Sequence, residues 1–163
     1  MHDYIFPIKY QETNHGLIMS KILLFTLINM LFIQLSFASM EEGLSAIKSR
    51  QYEQGYQAFK VEADKGNAEA QFQIAKMFQS GMKPDRKFKN ALIWYNLAAN
   101  NSHSVAQFNL GLMHAIGQGT RKNPKQAESW ISEAYKNAKT PRETMIFNMR
   151  VKKLAVYGVK TKY

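Results

Sequence analysis

With 163 residues, 45% hydrophobic and 12% aromatic, the chain has apolar material for one domain or one short repeat array, and its composition excludes disorder. A formal net charge of +10 favours acidic partners or anionic surfaces and says nothing of fold. There is no cysteine, which excludes a disulfide framework, a thiolate metal site and a cysteine nucleophile.

Residues 1–18 are polar and irregular and read as an extension upstream of a true start at Met19. From there Met19-Ser20-Lys21 is a short positive segment and residues 22–35 are mainly apolar. Ser36-Phe37-Ala38 then puts small residues at both recognition positions of a cleavage site. That order predicts a secretory signal peptide over 19–38. A retained anchor would need about 20 apolar residues, whereas Thr26, Asn29 and Gln34 interrupt a shorter run here. Cleavage after Ala38 removes Lys9 and Lys21 with Asp3 and Glu12, so the net charge of +10 stays with the exported part. The expected location is the periplasm or the outside of the cell, with no membrane contact after cleavage.

Residues 40–49 predict a short helix with Leu44 and Ile47 inward. Residues 52–65 predict a second, with Tyr52, Tyr56, Phe59 and Ala63 on one stripe and a glycine stop at Gly66-Asn67. Together, as residues 39–66, they read as a divergent first helical repeat, because Phe59 and Ala63 lie 36 positions before Tyr95 and Ala99.

The next stretch is one pattern written twice, over 67–102 and 103–138. A shift of 36 places Ala70 on Ala106, Phe72 on Phe108, Ile74 on Leu110, Met77 on Met113, Gly81 on Gly117, Ala91 on Ala127, Trp94 on Trp130 and Ala98 on Ala134. A gapless period of this length is produced by stacked helix-turn-helix units. Within the first copy, Ala70, Ile74, Met77 and Phe78 share one helical face, and Ala91, Trp94, Tyr95, Ala98 and Ala99 share another. Small residues at Ala75, Ala91, Ala98, Gly111, Ala127 and Ala134 let helix axes approach, and the two tryptophans are expected to fill the space between hairpins.

Gly117 to Pro124 reads as a glycine stop, a tight loop, then Asn123 as cap with proline at the first helical position. Thr140 and Glu143 predict a capping box that opens a last helix to about Tyr157, with Ile146 and Met149 in phase with Leu110 and Met113. Residues 139–163 are thus expected to cap the array. The fold class predicted is all-α.

The residues give little for catalysis. Asp64 and Asp85 lie near helix boundaries, no serine stands in a Gly-x-Ser-x-Gly turn, and Gly117-Gln118-Gly119 has neither a preceding strand nor a following Lys-Ser/Thr pair. His103 and His114 have no second ligand at helical spacing, so no metal and no cofactor is expected, and His114 reads as a packing residue. Two basic clusters, Lys83, Arg86, Lys87, Lys89 and Arg121, Lys122, Lys125, are in phase and should share one edge. That ridge would suit an anionic envelope polymer, or simply be solvated; export argues against nucleic acid.

Ala106-Gln107-Phe108-Asn109-Leu110-Gly111-Leu112-Met113, then Gly117-Gln118-Gly119, Ala127, Trp130 and Ala134, resembles the Sel-1-like repeat family, a branch of the tetratricopeptide-like α/α solenoids. The resemblance extends over residues 40–157 and implies a short right-handed α/α superhelix. It also implies a non-enzymatic exported adaptor that binds another protein or peptide. Cysteine-rich exported relatives linked to β-lactamase activity leave a cell-wall or β-lactam-directed hydrolase as the alternative, weakened by the absence of cysteine. In such solenoids the first helix of each repeat lines the concave side. Here that face would carry Phe72, Gln73, Lys76, Phe108, Asn109 and Leu112, either as a peptide surface or, for the two phenylalanines, as core.

Overall fold

The structure is a computed structural model that describes residues 12–82 and 87–160. All regular structure among them is helical. In order come α1 (Glu12–Lys48), α2 (Tyr52–Asp64), α3 (Ala68–Ser80), α4 (Phe88–Asn100), α5 (Ser104–Ile116), α6 (Pro124–Lys136), α7 (Pro141–Val151) and one 3-10 turn, Ala155–Tyr157. The chain divides into two units, Met1–Ala38 and Ser39–Tyr163.

In the first unit the helix begins at Glu12, so residues 12–18, expected to be irregular, are helical; residues 1–11 of that extension lie outside the described residues. The apolar side chains of Leu23, Phe25 and Ile33 are 62%, 69% and 69% exposed, so this stretch builds no core of its own.

The second unit is a stack of helical hairpins whose ends are set by local chemistry. Asn67 caps α3 by accepting from the Glu69 and Ala70 amides, Asn123 caps α6 through the Gln126 amide, and Thr140 caps α7 through the Glu143 amide. Gly81 and Gly117 end α3 and α5 in the left-handed conformation, at φ 79° and 78°. The expected capping box at α7 is only half formed. Glu143 turns away from its own cap and accepts instead from the Lys139 amide at 3.0 Å and the Ser104 hydroxyl at 2.7 Å, which ties α7 to α5.

Two apolar clusters fill the stack. The first takes Phe59, Ile74, Met77, Phe78 and Tyr95 from α2 to α4, together with Ala106, Leu110 and Met113 from one side of α5. The second takes Phe108 and Ala115 from the other side of α5, with Ile131 of α6 and Phe147, Val151 and Leu154. The residues predicted to let axes approach are fully buried, and a side-chain carbon on Gly111 would stand 2.7 Å from Ile131 Cγ1. Trp94 and Trp130 are both half-buried and both pack against the first cluster. The fully enclosed aromatics are Phe59, Tyr95, Phe108 and Phe147. The truncation cost expected of a buried aromatic belongs to these rather than to the tryptophans.

Three expectations about faces and ends are corrected. Leu44 is exposed, because Gly43 and Ala46 of α1 face α2 and any side chain at 43 would run into the Phe59 ring; Ile47 is partly buried as expected. The last helix ends at Val151 rather than near 157. Its inward residue is Phe147, not Met149, which is 56% exposed. The rings of Phe147 and Phe108 stack at 4.4 Å and 4°, which fixes the face that α7 turns to α5.

Candidate functional site

The six residues expected on the face of the first helices fall into two groups. On α3, Phe72 and Gln73 are partly exposed and Lys76 is exposed. On α5, Phe108 is 0% exposed and Asn109 is 8%, because α7 lies over them; Leu112 is partly buried against the second cluster. Phe108 is therefore core, and the surface expected at the second repeat is covered by the cap.

Phe72 is held by its neighbours. His103 stacks on it with ring centroids 4.5 Å apart, Tyr95 meets it at 6.0 Å, and Lys76 Nζ lies 5.3 Å from its centroid. His103 also caps α5. Its Nδ1 accepts from the Ala106 amide at 3.1 Å, so in this geometry the ring proton resides on Nε2 and is donated to Glu69 Oε2 at 3.0 Å. That hydrogen bond is the main reason the Glu69 carboxyl is held below its ordinary range. The N-terminal ends of α3, α5 and α7 enclose a cleft of about 390 Å³ lined by Phe72, His103, Ser104, Lys139 and Glu143 among others.

A second pocket, of about 230 Å³, opens between the end of α1 and α3. Ile47, Phe59, Met77 and Met82 form its apolar lining, with Gln73, Lys76 and Gln79 as polar neighbours. From Gln79 a polar chain crosses the stack. Arg150 Nη1 donates to Asn109 Oδ1 at 3.2 Å, and the Asn109 side chain lies beside the Tyr95 hydroxyl. That hydroxyl donates to Gln79 Oε1 at 2.7 Å, and Gln79 Nε2 donates to Gln118 Oε1 at 3.3 Å. Burial pushes the Tyr95 phenol up, so it stays a donor throughout the physiological range.

The sequence also carried a structural pair that went unread. Gln71 and Gln107, 36 apart, are buried, and each donates its amide at 3.0 Å to the end of the preceding helix, at Ala63 O and Ala99 O. Each then accepts from an asparagine that is also in phase, Asn101 at 3.0 Å and Asn137 at 3.2 Å. The identity of both residues at both copies was the available signal. Buried amides must be paired, and here each bond spans two hairpins.

Of the basic ridge, Lys83 and Arg86 lie outside the described residues. Lys87, Lys89, Arg121, Lys122 and Lys125 are exposed. A side-chain carbon on Gly119 would stand 2.5 Å from Phe88 O and 3.0 Å from the Lys89 amide, so the second loop abuts the start of α4. Lys122 Nζ lies 5.4 Å from the Tyr157 ring. Among the described residues no three histidine, aspartate or glutamate side chains gather to hold a metal ion. His114 is a packing residue, as expected: it is 6% exposed, its Nδ1 has no hydrogen-bond partner, and burial holds its pKa below the usual value.

With this geometry described, comparison with known proteins becomes informative. No curated protein sequence matches the chain. A solved Sel1 repeat protein from Oxalobacter formigenes is 28% identical at a TM-score of 0.55, over 67% of this chain and 44% of that one. The c5321 protective antigen of uropathogenic Escherichia coli, described as displaying an SLR fold, is 26% identical at a TM-score of 0.62, over 72% of this chain and 26% of that one. The chain thus spans less than half the length of either structure. The model of the Sel1 repeat matches residues 68–103 and 104–138, so α3–α4 and α5–α6 are two Sel1 repeats.

Proposed function

We propose that this protein is an exported, non-enzymatic scaffold that holds a partner protein on the face built around α3. Sel1 repeats commonly serve as interaction scaffolds, which is the general ground for the reading. The observation that carries it is the divided use of α3. Ile74, Met77 and Phe78 serve the core, while Gln73 and Lys76 remain outside it beside a pocket with an apolar lining. Apolar area supplies the affinity in such a site, and amides answer the partner's backbone groups. The solvent-facing apolar stretch from Leu17 to Ile33 supports export, since a leader removed after translocation takes no part in the core.

Crosslinked capture with the tagged full chain from its own cells tests the scaffold. The wild type should retain one partner that a Gln73→Ala, Lys76→Glu variant of unchanged helicity loses. Equal capture by both would remove α3 from the site. Amino-terminal sequencing of the exported protein should begin at Ser39, and a start at Met1 or Met19 would sink the leader reading. The contact between Gly119 and Phe88 favours a second reading, adhesion of the ridge to anionic envelope polymers; that binding should vanish as salt rises.

A further inference from the structure

Arg150, near the end of α7, had no role in the repeat pattern, yet it stands at the head of the polar chain through Asn109, Tyr95 and Gln79. Its guanidinium uses Nη1 on Asn109 and lies 5.5 Å from the Phe108 centroid. These contacts fix the orientation of the fork and leave most of its five N–H donors unspent. Among the described residues no carboxylate lies within ion-pair distance of it, although the side chain belongs to an exposed residue and burial of part of it already lowers its pKa. A cation held in place by an amide and an aromatic face, and left without a counterion, is prepared for an anion from outside.

The surroundings say which anion. Gln79 both borders the apolar pocket of Ile47, Phe59, Met77 and Met82 and accepts from Tyr95, which in turn lies close to Asn109 and Arg150. Among the described residues Lys76, the pocket's own cation, has no carboxylate within ion-pair distance either; its Nζ bonds to Gln73 and lies over Phe72. Two cations without counterions and an apolar socket beside one of them match a segment of polypeptide better than a small anion. With a net charge of +10 on the whole chain, the complementary segment is acidic.

We propose that Arg150 anchors a carboxylate of the partner polypeptide, an Asp or Glu side chain a few residues from an apolar side chain that enters the pocket beside Lys76. This rests on the scaffold reading above and names the chemistry of its partner. The planar fork binds a carboxylate through two parallel N–H donors, and the bond to Asn109 with the contact on the Phe108 ring holds the fork against α5 rather than letting it sweep through solvent.

The test uses the full chain and an array of fluorescent decapeptides. Each carries one Leu or Phe with Glu at a spacing of two to five residues, alongside versions with Gln or phosphoserine in place of Glu. Acidic peptides should bind at least tenfold more tightly than their Gln counterparts. Arg150→Gln should erase that difference, Arg150→Lys should keep part of it, and Lys153→Gln, an exposed cation nearby, should leave it whole. Circular dichroism of each variant checks that the helical content is unchanged. Equal binding of Glu and Gln peptides by the wild type, or discrimination intact in Arg150→Gln, overturns the proposal while leaving the scaffold reading standing. Preference for phosphoserine over Glu by tenfold or more overturns the carboxylate assignment. If no peptide binds and the captured partner is unaffected by the α3 substitutions, α3 leaves the site and the carboxylate proposal falls with it.

Discussion

α3 and α5 occupy the same place in successive repeats, and their sequences agree at Ala70 and Ala106, Phe72 and Phe108, Gln71 and Gln107, and Met77 and Met113. Their surroundings are not the same. α3 is buried mainly along one face, whereas α5 contributes to both apolar clusters and is enclosed by α4, α6 and α7. One repeat position is thus a partly open ring at Phe72 and the centre of a core at Phe108. In a stacked array a residue's burial is decided by the next unit as much as by its own, so equivalence in sequence guarantees backbone conformation but not exposure.

The sharpest way to break that comparison is to truncate both rings. Phe108→Ala should destabilise by about 3 to 5 kcal/mol in urea denaturation, because the stack on Phe147 leaves a closed cavity. Phe72→Ala, open on one side and cushioned by His103, should cost less than half as much. Equal losses would mean that the cap does not distinguish the two repeats.

Next in size are the positions where the repeats should behave alike. Gln71→Ala and Gln107→Ala each strand a buried carbonyl, at Ala63 and Ala99, and remove the acceptor for Asn101 or Asn137. Each should cost about 2 kcal/mol in the same assay. A cost at one position only would show that the bond spanning the hairpins matters in a single repeat.

The smallest effect runs the other way. His114 stands where the first repeat has Phe78, and it keeps an unpartnered Nδ1 in the interior. His114→Phe should stabilise by about 1 kcal/mol. It should also change the pH profile. With the folded pKa held below 6.5, the unfolded chain takes up the proton first. Stability from the neutral ring is whole above about pH 6.5 and is lost as the pH falls through the folded pKa. The Phe variant should lack that decline, and a difference between the two proteins that stays constant from pH 7.5 to 5 would assign the effect elsewhere.

Much of the architecture was legible because it is local. The caps at Asn123 and Thr140, the glycine stop at 117, and the small residues at close crossings follow from dihedral preference and helical spacing alone. The bonds of Gln71 and Gln107 were equally present in the period, but an amide reads as a surface residue until something covers it. His103 as a cap was harder to see: a ring nitrogen serves where the first repeat uses an asparagine oxygen.

The sequence by itself determined a tandem of helical hairpins, their length, and the stripes on which they meet. A period of 36 with alanines and glycines in phase admits few other packings. Only the tertiary structure decided what those hairpins leave outside. The rotation of α7 comes from one ring stacking on another, and it buries Phe108 and Asn109 while bringing Arg150 to the surface beside them. Contacts between the last helix and its neighbour have no period to announce them, because a terminal unit packs on one side only.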